Sequence, residues 1–255
     1  MYNNWFSIFG LTVHGYGVMI GIGILAGFFL AERNAKRHGL DANQVDNMVY
    51  AGLVFGWIMA KAVFVFVNWQ AFLADPLSVL GSSGWVVYGG IIGGIAAVYV
   101  YCRIRGFSFP DYFNAMIPAV ALGQGFGRIG CFFAGCCYGA ETQSHFSLIF
   151  PQGSLAPAGV RLIPTQLLSS FGDFVLCLIL MRIYENEETR NTTGFWYLIL
   201  YSAGRFLIEF LRGDIERGSV GPFSTSQFIS IFVFAAGLAM LFRLKAKKEK
   251  EKMIV

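Results

Sequence analysis

The chain has 255 residues, of which 56% are hydrophobic and 13% charged, with a net charge of +4 and a mean hydropathy of +0.58. Soluble globular domains carry about 25% charged residues, so this composition excludes a soluble protein built around one large core. It also excludes a disulfide-rich secreted scaffold, because the chain has five cysteines and two of them, Cys102 and Cys177, lie in apolar runs. The composition predicts a membrane protein with several spans.

Seven apolar segments follow one another, at about residues 13–31, 48–67, 85–101, 111–134, 164–183, 194–211 and 227–242. The first ten residues lack the basic region and cleavage site of a signal peptide, so the first segment is expected to be a retained helix. Pro118 is expected to interrupt the fourth segment. We predict an all-α integral membrane protein with seven transmembrane helices. Residues 1–244 form its transmembrane domain, residues 139–163 form an external arm or cap, and residues 245–255 form a basic tail.

Basic residues are distributed unevenly between the two sets of loops, which predicts the orientation in the membrane. The loops after segments one, three and five, together with the tail, hold Arg33, Lys36, Arg37, Arg103, Arg105, Arg182, Arg190, Arg243, Lys245, Lys247, Lys248, Lys250 and Lys252. The opposite loops hold Arg161, Arg212 and Arg217. We therefore expect a cytoplasmic C-terminus and an external N-terminus, in a bacterial-type inner membrane. The polar intramembrane residues then lie toward the outer leaflet.

Arg128 and Arg205 lie in separate apolar segments, where an arginine is costly unless an anion meets it. Two guanidinium groups can hold one phosphate through paired hydrogen bonds. The alternative is pairing within the protein, since Glu209 lies one turn after Arg205. The spacing of Arg205, Glu209 and Arg212 predicts that they share one helical face.

Other polar residues leave several interpretations open. Tyr16 and Tyr88 are either interfacial aromatics or residues of the site. Cys131, Cys136 and Cys137 have the spacing C-x4-C-C, whereas zinc sites favour C-x2-C pairs. Packing residues or a disulfide are the favoured interpretations, a nucleophilic cysteine is another, and no metal site is predicted. The many glycines suggest helix packing.

Motifs in this order resemble the prolipoprotein diacylglyceryl transferases of the bacterial inner membrane, nearly from end to end. They are His14-Gly15-Tyr16-Gly17, Ala74-Asp75-Pro76-Leu77, Gly89-Gly90-Ile91-Ile92-Gly93, Gly127-Arg128-Ile129-Gly130 with Gly139, Pro164-Thr165-Gln166-Leu167, and Arg205-Phe206-Leu207-Ile208-Glu209-Phe210-Leu211-Arg212. The resemblance implies seven helices with an external N-terminus. It implies transfer of a diacylglyceryl group from phosphatidylglycerol to the lipobox cysteine of a prolipoprotein, with glycerol phosphate leaving.

The resemblance also implies which residues form the site. The expected catalytic residues are Arg128, Arg205, Tyr88 and Tyr16. The residues expected to bind phosphatidylglycerol are Arg128, Arg205, Glu209, Gly89, Gly90, Gly139 and Gln166. No metal or cofactor is implied. The expected partners are phosphatidylglycerol, the prolipoprotein signal peptide with its lipobox, and membrane lipid, and no nucleic acid is expected.

The chain departs from the family pattern near the arginines. The family typically has His at Tyr88, Asn at Cys131, Asn at Ala134, Glu at Cys136 and His at Ile163. The proton acceptor is therefore open between Tyr88 and Tyr16. Two alternative functions follow from these departures: a phospholipid-binding or transport protein that kept the phosphate-binding arginines, and a lipid transferase with a different acceptor.

Overall fold

A computed structural model describes residues 3–8, 10–214 and 218–254, and the described residues are mostly helical. The α-helices are α1 (Gly15–Arg37), α2 (Ala42–Val67), α3 (Trp69–Ala74), α4 (Pro76–Gly81), α5 (Val87–Arg105), α6 (Phe109–Ala134), α7 (Thr165–Glu185), α8 (Thr193–Ile208) and α9 (Thr225–Ile254). Two short 3-10 turns, Arg190–Thr192 and Glu209–Leu211, flank α8. Helix α9 runs through the predicted basic tail as far as Ile254.

Six helices of the described chain are long and apolar enough to cross a membrane: α1, α2, α5, α6, α7 and the first 23 residues of α9. Large apolar side chains on them face outward, and Phe66 of α2 is 78% exposed. Such surfaces require an apolar solvent, because water would penalise so large an apolar patch. The prediction of a multi-pass membrane protein is therefore confirmed. Helix α8 has 16 residues and is shorter than the other candidate spans.

The prediction of an all-α fold was incomplete, because the described residues include three small antiparallel sheets. Each sheet has two strands: β1 (Asn4–Ile8) with β2 (Leu11–His14), β3 (Leu148–Ile149) with β4 (Arg161–Leu162), and β5 (Ser219–Val220) with β6 (Phe223–Ser224). All three are hairpin-like pairs beside or between the helices. They satisfy backbone hydrogen bonds in connections whose sequences lack helical periodicity.

Helix α6 is continuous from Phe109 to Ala134, so the prediction that Pro118 interrupts it was wrong. Proline removes one backbone donor and disfavours the helical conformation of the preceding residue. Neighbouring helices can satisfy the freed groups in a transmembrane helix. The side chain of Pro118 is fully buried.

The chain divides into two compact units. The first comprises Met1–Leu30 and Met116–Val255, and the second comprises Ala31–Ala115. In the second unit α2 packs on α5 through glycines of both helices. A Cβ atom at Gly56 would stand 3.0 Å from the Gly90 carbonyl oxygen, and one at Gly94 would stand 3.2 Å from that of Gly52. The second unit is thus built on close backbone approach, as is common between helices in lipid.

Lys61 lies inside α2, and the second unit satisfies its charge locally. Its Nζ donates to the carbonyl oxygen of Ser82 at 2.8 Å and to that of Gly84 at 3.3 Å. It also lies 4.8 Å from the centre of the Trp85 ring. Carbonyl oxygens and an aromatic ring are partners that suit a cation inside an apolar helix.

Candidate functional site

Arg128 and Arg205 line the same cavity of about 130 Å³ within the first unit. Helix α6 carries Arg128, and α7 and α8 supply the other walls. The lining residues are Arg128, Leu168, Ser169, Gly172, Asp173, Leu176, Leu200, Tyr201, Gly204, Arg205 and Ile208. A second, smaller pocket shares four of these residues and adds Cys137, Thr165, Gln166 and Arg212. The structure therefore brings the two predicted arginines and Gln166 to one place.

Glu209 forms an ion pair with Arg205, with 2.5 Å between its Oε2 and the arginine Nη1. Both side chains are largely buried, at 15% exposure for Arg205 and 2% for Glu209. The second guanidinium nitrogen of Arg205 donates to the Ser226 hydroxyl at 2.8 Å. The alternative of pairing within the protein therefore holds for Arg205. The pairing also fixes the direction of its guanidinium, because a planar fork bound at two nitrogens cannot rotate freely.

Arg212 does not continue the helical face of Arg205, so that prediction was wrong. Helix α8 ends at Ile208, a 3-10 turn follows, and Arg212 has an extended backbone with φ −79° and ψ 143°. Its Nη1 lies 3.9 Å from Glu209 Oε2. It also forms a two-point ion pair with Asp214, in which Nε donates to Oδ1 at 3.0 Å and Nη2 to Oδ2.

Arg128 differs from the other two arginines. Within the described part of the chain, no carboxylate lies within ion-pair distance of its guanidinium and no side chain accepts a hydrogen bond from it. It is only partly exposed, and the buried Asp173 of the same cavity acts on it electrostatically from beyond ion-pair distance. A desolvated arginine with no anion in direct contact is costly, so this cavity is suited to an anionic ligand.

Gln166 lies in the first turn of α7 and is 1% exposed. Its Nε2 donates to the Cys136 carbonyl oxygen at 2.8 Å, which fixes the orientation of the amide. Its Oε1 is buried and has no hydrogen-bond partner among the described residues. Since buried polar atoms are nearly always paired, this oxygen is suited to a donor that a ligand brings into the small pocket.

A glycine turn ends α6 and brings the three cysteines together. The Gly135 amide donates to the Phe132 carbonyl at 3.3 Å, and the Cys136 amide donates to the Cys131 carbonyl at 3.1 Å, with Gly135 at φ +76°. This is the Schellman arrangement of a helix C-terminus. The turn folds the chain back, and the Sγ atoms of Cys131, Cys136 and Cys137 lie within 4.8 Å of one another.

All three cysteines of this turn are free thiols in the structure. Hydrogen bonds with the Cys131 and Cys136 side chains lower the pKa of the Cys137 thiol from its ordinary value. The positive charges of Arg212 and Arg128 act in the same direction. Cys137 also lines the small pocket beside the arginines, whose positive charge favours the thiolate form over the thiol.

Gly139 lies at a crowded backbone junction. Its amide donates to the Ile163 carbonyl at 2.9 Å, and it bridges to Arg212. A Cβ atom there would stand 2.5 Å from the Ile163 carbonyl oxygen and 2.8 Å from that of Leu211. The structure thus gives Gly139 a packing role that holds Arg212 near the cysteine turn. Its predicted contact with phosphatidylglycerol stays a prediction.

Tyr16 lies in the first turn of α1, and its backbone amide donates to Asn3 Oδ1 at 3.1 Å. The ring packs against Gly130, where an added Cβ would stand 3.2 Å from Tyr16 Cδ2. The phenol interacts electrostatically with Arg128 and with the cysteines of the turn. Tyr16 therefore belongs to the surroundings of the arginine cavity.

Tyr88, Gly89 and Gly90 lie in the first turn of α5, in the second unit. The Tyr88 side chain is 52% exposed. A Cβ atom at Gly89 would stand 2.7 Å from the Met59 carbonyl oxygen, so this glycine allows α5 to approach α2. Helix packing thus accounts for Gly89, whereas a Cβ atom at Gly90 would come no closer than 3.4 Å to its neighbours. The roles of both glycines in substrate binding stay predictions.

The cavity of the arginines is also lined by three residues that were not predicted for the site, namely Asp173, Tyr201 and Ser169. Asp173 had a usable signal, because an acidic residue inside an apolar segment is a candidate functional residue by default. Tyr201 and Ser169 had none, since tyrosine and serine are common in membrane helices. Tyr201 stacks on Tyr197, with ring centres 5.4 Å apart.

The fold and site define a multi-pass membrane protein with a cavity lined by two arginines. A family model described as prolipoprotein diacylglyceryl transferase matches residues 3–243, and the chain belongs to this family. The chain is 41% identical to "Phosphatidylglycerol--prolipoprotein diacylglyceryl transferase 2" of Clostridium perfringens, over 95% of this chain and 96% of that protein. It is 40% identical to "Phosphatidylglycerol--prolipoprotein diacylglyceryl transferase" of Clostridium tetani, over 91% and 94%. The resemblance inferred from the motifs is thus confirmed.

Proposed function

We propose that this protein transfers the diacylglyceryl group of phosphatidylglycerol to the thiol of the lipobox cysteine in a prolipoprotein. The observation that carries the proposal is Arg128, a partly buried arginine without an ionic partner among the described residues, in a cavity that it shares with Arg205. A phosphodiester has one negative charge and several acceptor oxygens, which matches the guanidinium fork.

The pocket offers both of the interactions that the phosphatidylglycerol headgroup needs. The arginines face its phosphate, and Gln166 Oε1 is a buried acceptor without a partner in the described chain. The hydroxyl groups of the terminal glycerol are donors, so one of them can satisfy this oxygen. A choline headgroup, which has no donor, cannot make this bond.

The reaction transfers charge to the phosphate. The acceptor thiolate forms a new C–S bond to the diacylglyceryl methylene carbon, and the bond between that carbon and the phosphate oxygen breaks. The electron pair of the broken bond stays on that oxygen, so glycerol phosphate leaves with one more negative charge than the diester had. Arg128 stabilises this charge as it develops. The thiol proton passes to a base, for which Tyr16 and Tyr88 stay the predicted candidates.

The proposal includes seven spans, with α8 and the 3-10 turn after it forming the sixth. We place the N-terminus outside and the C-terminus in the cytoplasm of a bacterial cell, in its inner membrane, because the basic residues cluster in one set of loops. The arm at residues 139–163 then lies outside. In this orientation the arginine cavity lies toward the outer leaflet.

The test is an assay of the purified protein in nanodiscs that contain phosphatidylglycerol, with a lipobox peptide as acceptor. The expected result is a peptide whose mass increases by one diacylglyceryl group, together with release of glycerol phosphate. Nanodiscs of phosphatidylcholine alone serve as the control. If a well-folded protein leaves the peptide unmodified in every condition, the proposed transfer is wrong.

Two further outcomes identify the alternatives. Saturable phosphatidylglycerol binding without release of glycerol phosphate indicates a lipid-binding or transport protein. Release of glycerol phosphate that does not depend on the lipobox cysteine indicates a transferase with another acceptor. This chain has Cys131, Cys136 and Ile163 where the family typically has polar residues. Lipid binding and glycerol phosphate release are both measured for this reason.

A further inference from the structure

The cysteine turn (Cys131, Cys136 and Cys137) has no part in the chemistry above, yet it is unusually organised. Three Sγ atoms within 4.8 Å of one another can meet on one ion with little movement. Three sulfurs bound to a tetrahedral zinc ion at about 2.3 Å stand about 3.8 Å from one another. We propose that these three thiolates form a binding site for a thiophilic cation with a filled d shell, such as Zn²⁺.

The backbone around the thiols is held in place by buried side chains. Gln166 donates to the Cys136 carbonyl at 2.8 Å, and Thr165 Oγ1 donates to the Cys137 carbonyl at 2.8 Å. Both side chains are 1% exposed. Supports of this kind lower the cost of gathering ligands, because the turn does not have to be ordered when the cation binds.

Cys137 adds a second, independent sign of a built site. Its φ of +58° lies in the left-handed region, and it is the one such residue other than glycine among those described. A residue with a side chain seldom adopts this conformation, because its Cβ atom crowds the following carbonyl oxygen. The conformation persists because the neighbouring Gly135 turn and the Thr165 hydrogen bond determine it, and residues held in this way cluster at functional sites.

Charge is balanced when the cluster holds a divalent cation. Three thiolates and one Zn²⁺ carry a net charge of −1. Arg212 and Arg128 act electrostatically on the Cys137 sulfur, and all three residues line the small pocket. The complex therefore meets positive charge on the side of the pocket, whereas three bare thiolates would repel one another.

The donor set selects the class of ion. Thiolate sulfur favours Zn²⁺, Cd²⁺ and Cu⁺ over Mg²⁺ and Ca²⁺, which prefer oxygen. The group contains three ligands among the described residues, so one position of a tetrahedral ion is left for water or an external ligand. The C-x4-C-C spacing differs from the paired C-x2-C pattern because one helix turn and one glycine turn gather the ligands.

The test uses the full-length protein, purified in detergent and reduced, and titrated with Cd²⁺ as the probe. The expected result is a thiolate-to-cadmium absorption band that saturates at one ion per chain and that also develops when Cd²⁺ displaces Zn²⁺ bound beforehand. Cys131→Ser, Cys136→Ser and Cys137→Ser are each expected to weaken binding at least about tenfold. Cys177→Ser, a buried cysteine of α7, is the matched control and is expected to leave it unchanged. An unchanged band in the triple serine variant overturns the proposal.

A second measurement needs no variant, so a folding defect in the serine variants cannot hide the answer. Protein incubated with Zn²⁺ is treated with iodoacetamide before and after a chelator, and the modified cysteines are identified by mass. If Zn²⁺ protects the three thiols from modification and the chelator abolishes this protection, the site is supported. Equal modification with and without Zn²⁺ overturns the proposal. Protection that only a reductant removes shows a disulfide and also overturns it.

Discussion

Arg205 and Glu209 lie one helical turn apart and form a 2.5 Å ion pair that is almost entirely buried. The same carboxylate lies 3.9 Å from Arg212, so one acid stands between two arginines of the site. Breaking a buried pair by removing one charge costs more than the pair itself contributes, because the remaining charge stays desolvated.

Glu209→Gln is therefore expected to destabilise the protein by about 3–5 kcal/mol, since Arg205 keeps its charge and loses its counter-ion. Thermal and denaturant unfolding in micelles measure the change. Glu32→Gln is the matched control, because it breaks an exposed i,i+4 pair with Lys36, which is 62% exposed. That variant is expected to lose no more than about 1 kcal/mol. Equal effects of the two substitutions would contradict the interpretation.

Arg128→Ala is expected to lower diacylglyceryl transfer at least about 100-fold, because it removes the donor to the developing phosphate charge. Arg128→Lys keeps the charge and loses the two-point geometry, so the rate of this variant is expected to lie between the wild-type rate and that of Arg128→Ala. The turnover of glycerol phosphate release in nanodiscs is the measurement.

Arg161→Ala is the control for Arg128, since it removes an exposed arginine of β4 that lines neither pocket of the site. It is expected to keep the wild-type rate. Elution on a sizing column shows whether each variant is folded. A folded Arg128→Ala variant with a near-wild-type rate would remove the basis for the phosphate role.

Much of the arginine site could be predicted because its signals are chemical. Arginine in an apolar segment needs an anion wherever the helix goes, so Arg128 and Arg205 stand out in the sequence. The difference between them, namely that Arg205 is ion-paired and Arg128 is not, could not be predicted. Whether Glu209 pairs with Arg205, and whether Asp173 reaches Arg128, depends on side-chain directions that spacing alone does not determine.

The apolar centres of the helices followed from hydropathy, but their bounds did not. Helix α2 begins at Ala42 and α9 runs to Ile254, outside the predicted segments 48–67 and 227–242. Pro118 predicts a break only if no neighbouring helix compensates for the lost backbone bond. The hairpin β3–β4 joins residues across a connection with little periodicity, so nothing in its sequence marks the pairing. The cysteine turn had a usable signal in Gly135, because a glycine after an apolar helix often ends it in the left-handed conformation.

Gln166→Leu is expected to raise the KM for phosphatidylglycerol about three- to tenfold, as expected for the loss of one hydrogen bond to the headgroup. The matched control is Gln227→Leu, a buried glutamine whose Oε1 already accepts from the Ser224 amide at 3.1 Å. The control is expected to change stability and not KM. Initial rates at varied phosphatidylglycerol content give the KM of each of the two variants. If the two variants change KM equally, Oε1 of Gln166 does not contact the headgroup.

Gly89→Ala separates helix packing from substrate binding in the second unit. A Cβ atom there would stand 2.7 Å from the Met59 carbonyl oxygen and 2.8 Å from Val63 Cγ2, so α5 has to move away from α2. Overpacking of this kind costs about 1–3 kcal/mol. Thermal unfolding in micelles is therefore expected to show destabilisation.

Gly21→Ala in α1 is the control for Gly89, because nothing lies within 4 Å of the added atom and alanine favours the helix. It is expected to keep or slightly raise the melting temperature. The KM for phosphatidylglycerol, measured on the same Gly89→Ala preparation, separates the two roles. An unchanged melting temperature with a raised KM would show that Gly89 serves the headgroup and not the contact between α2 and α5.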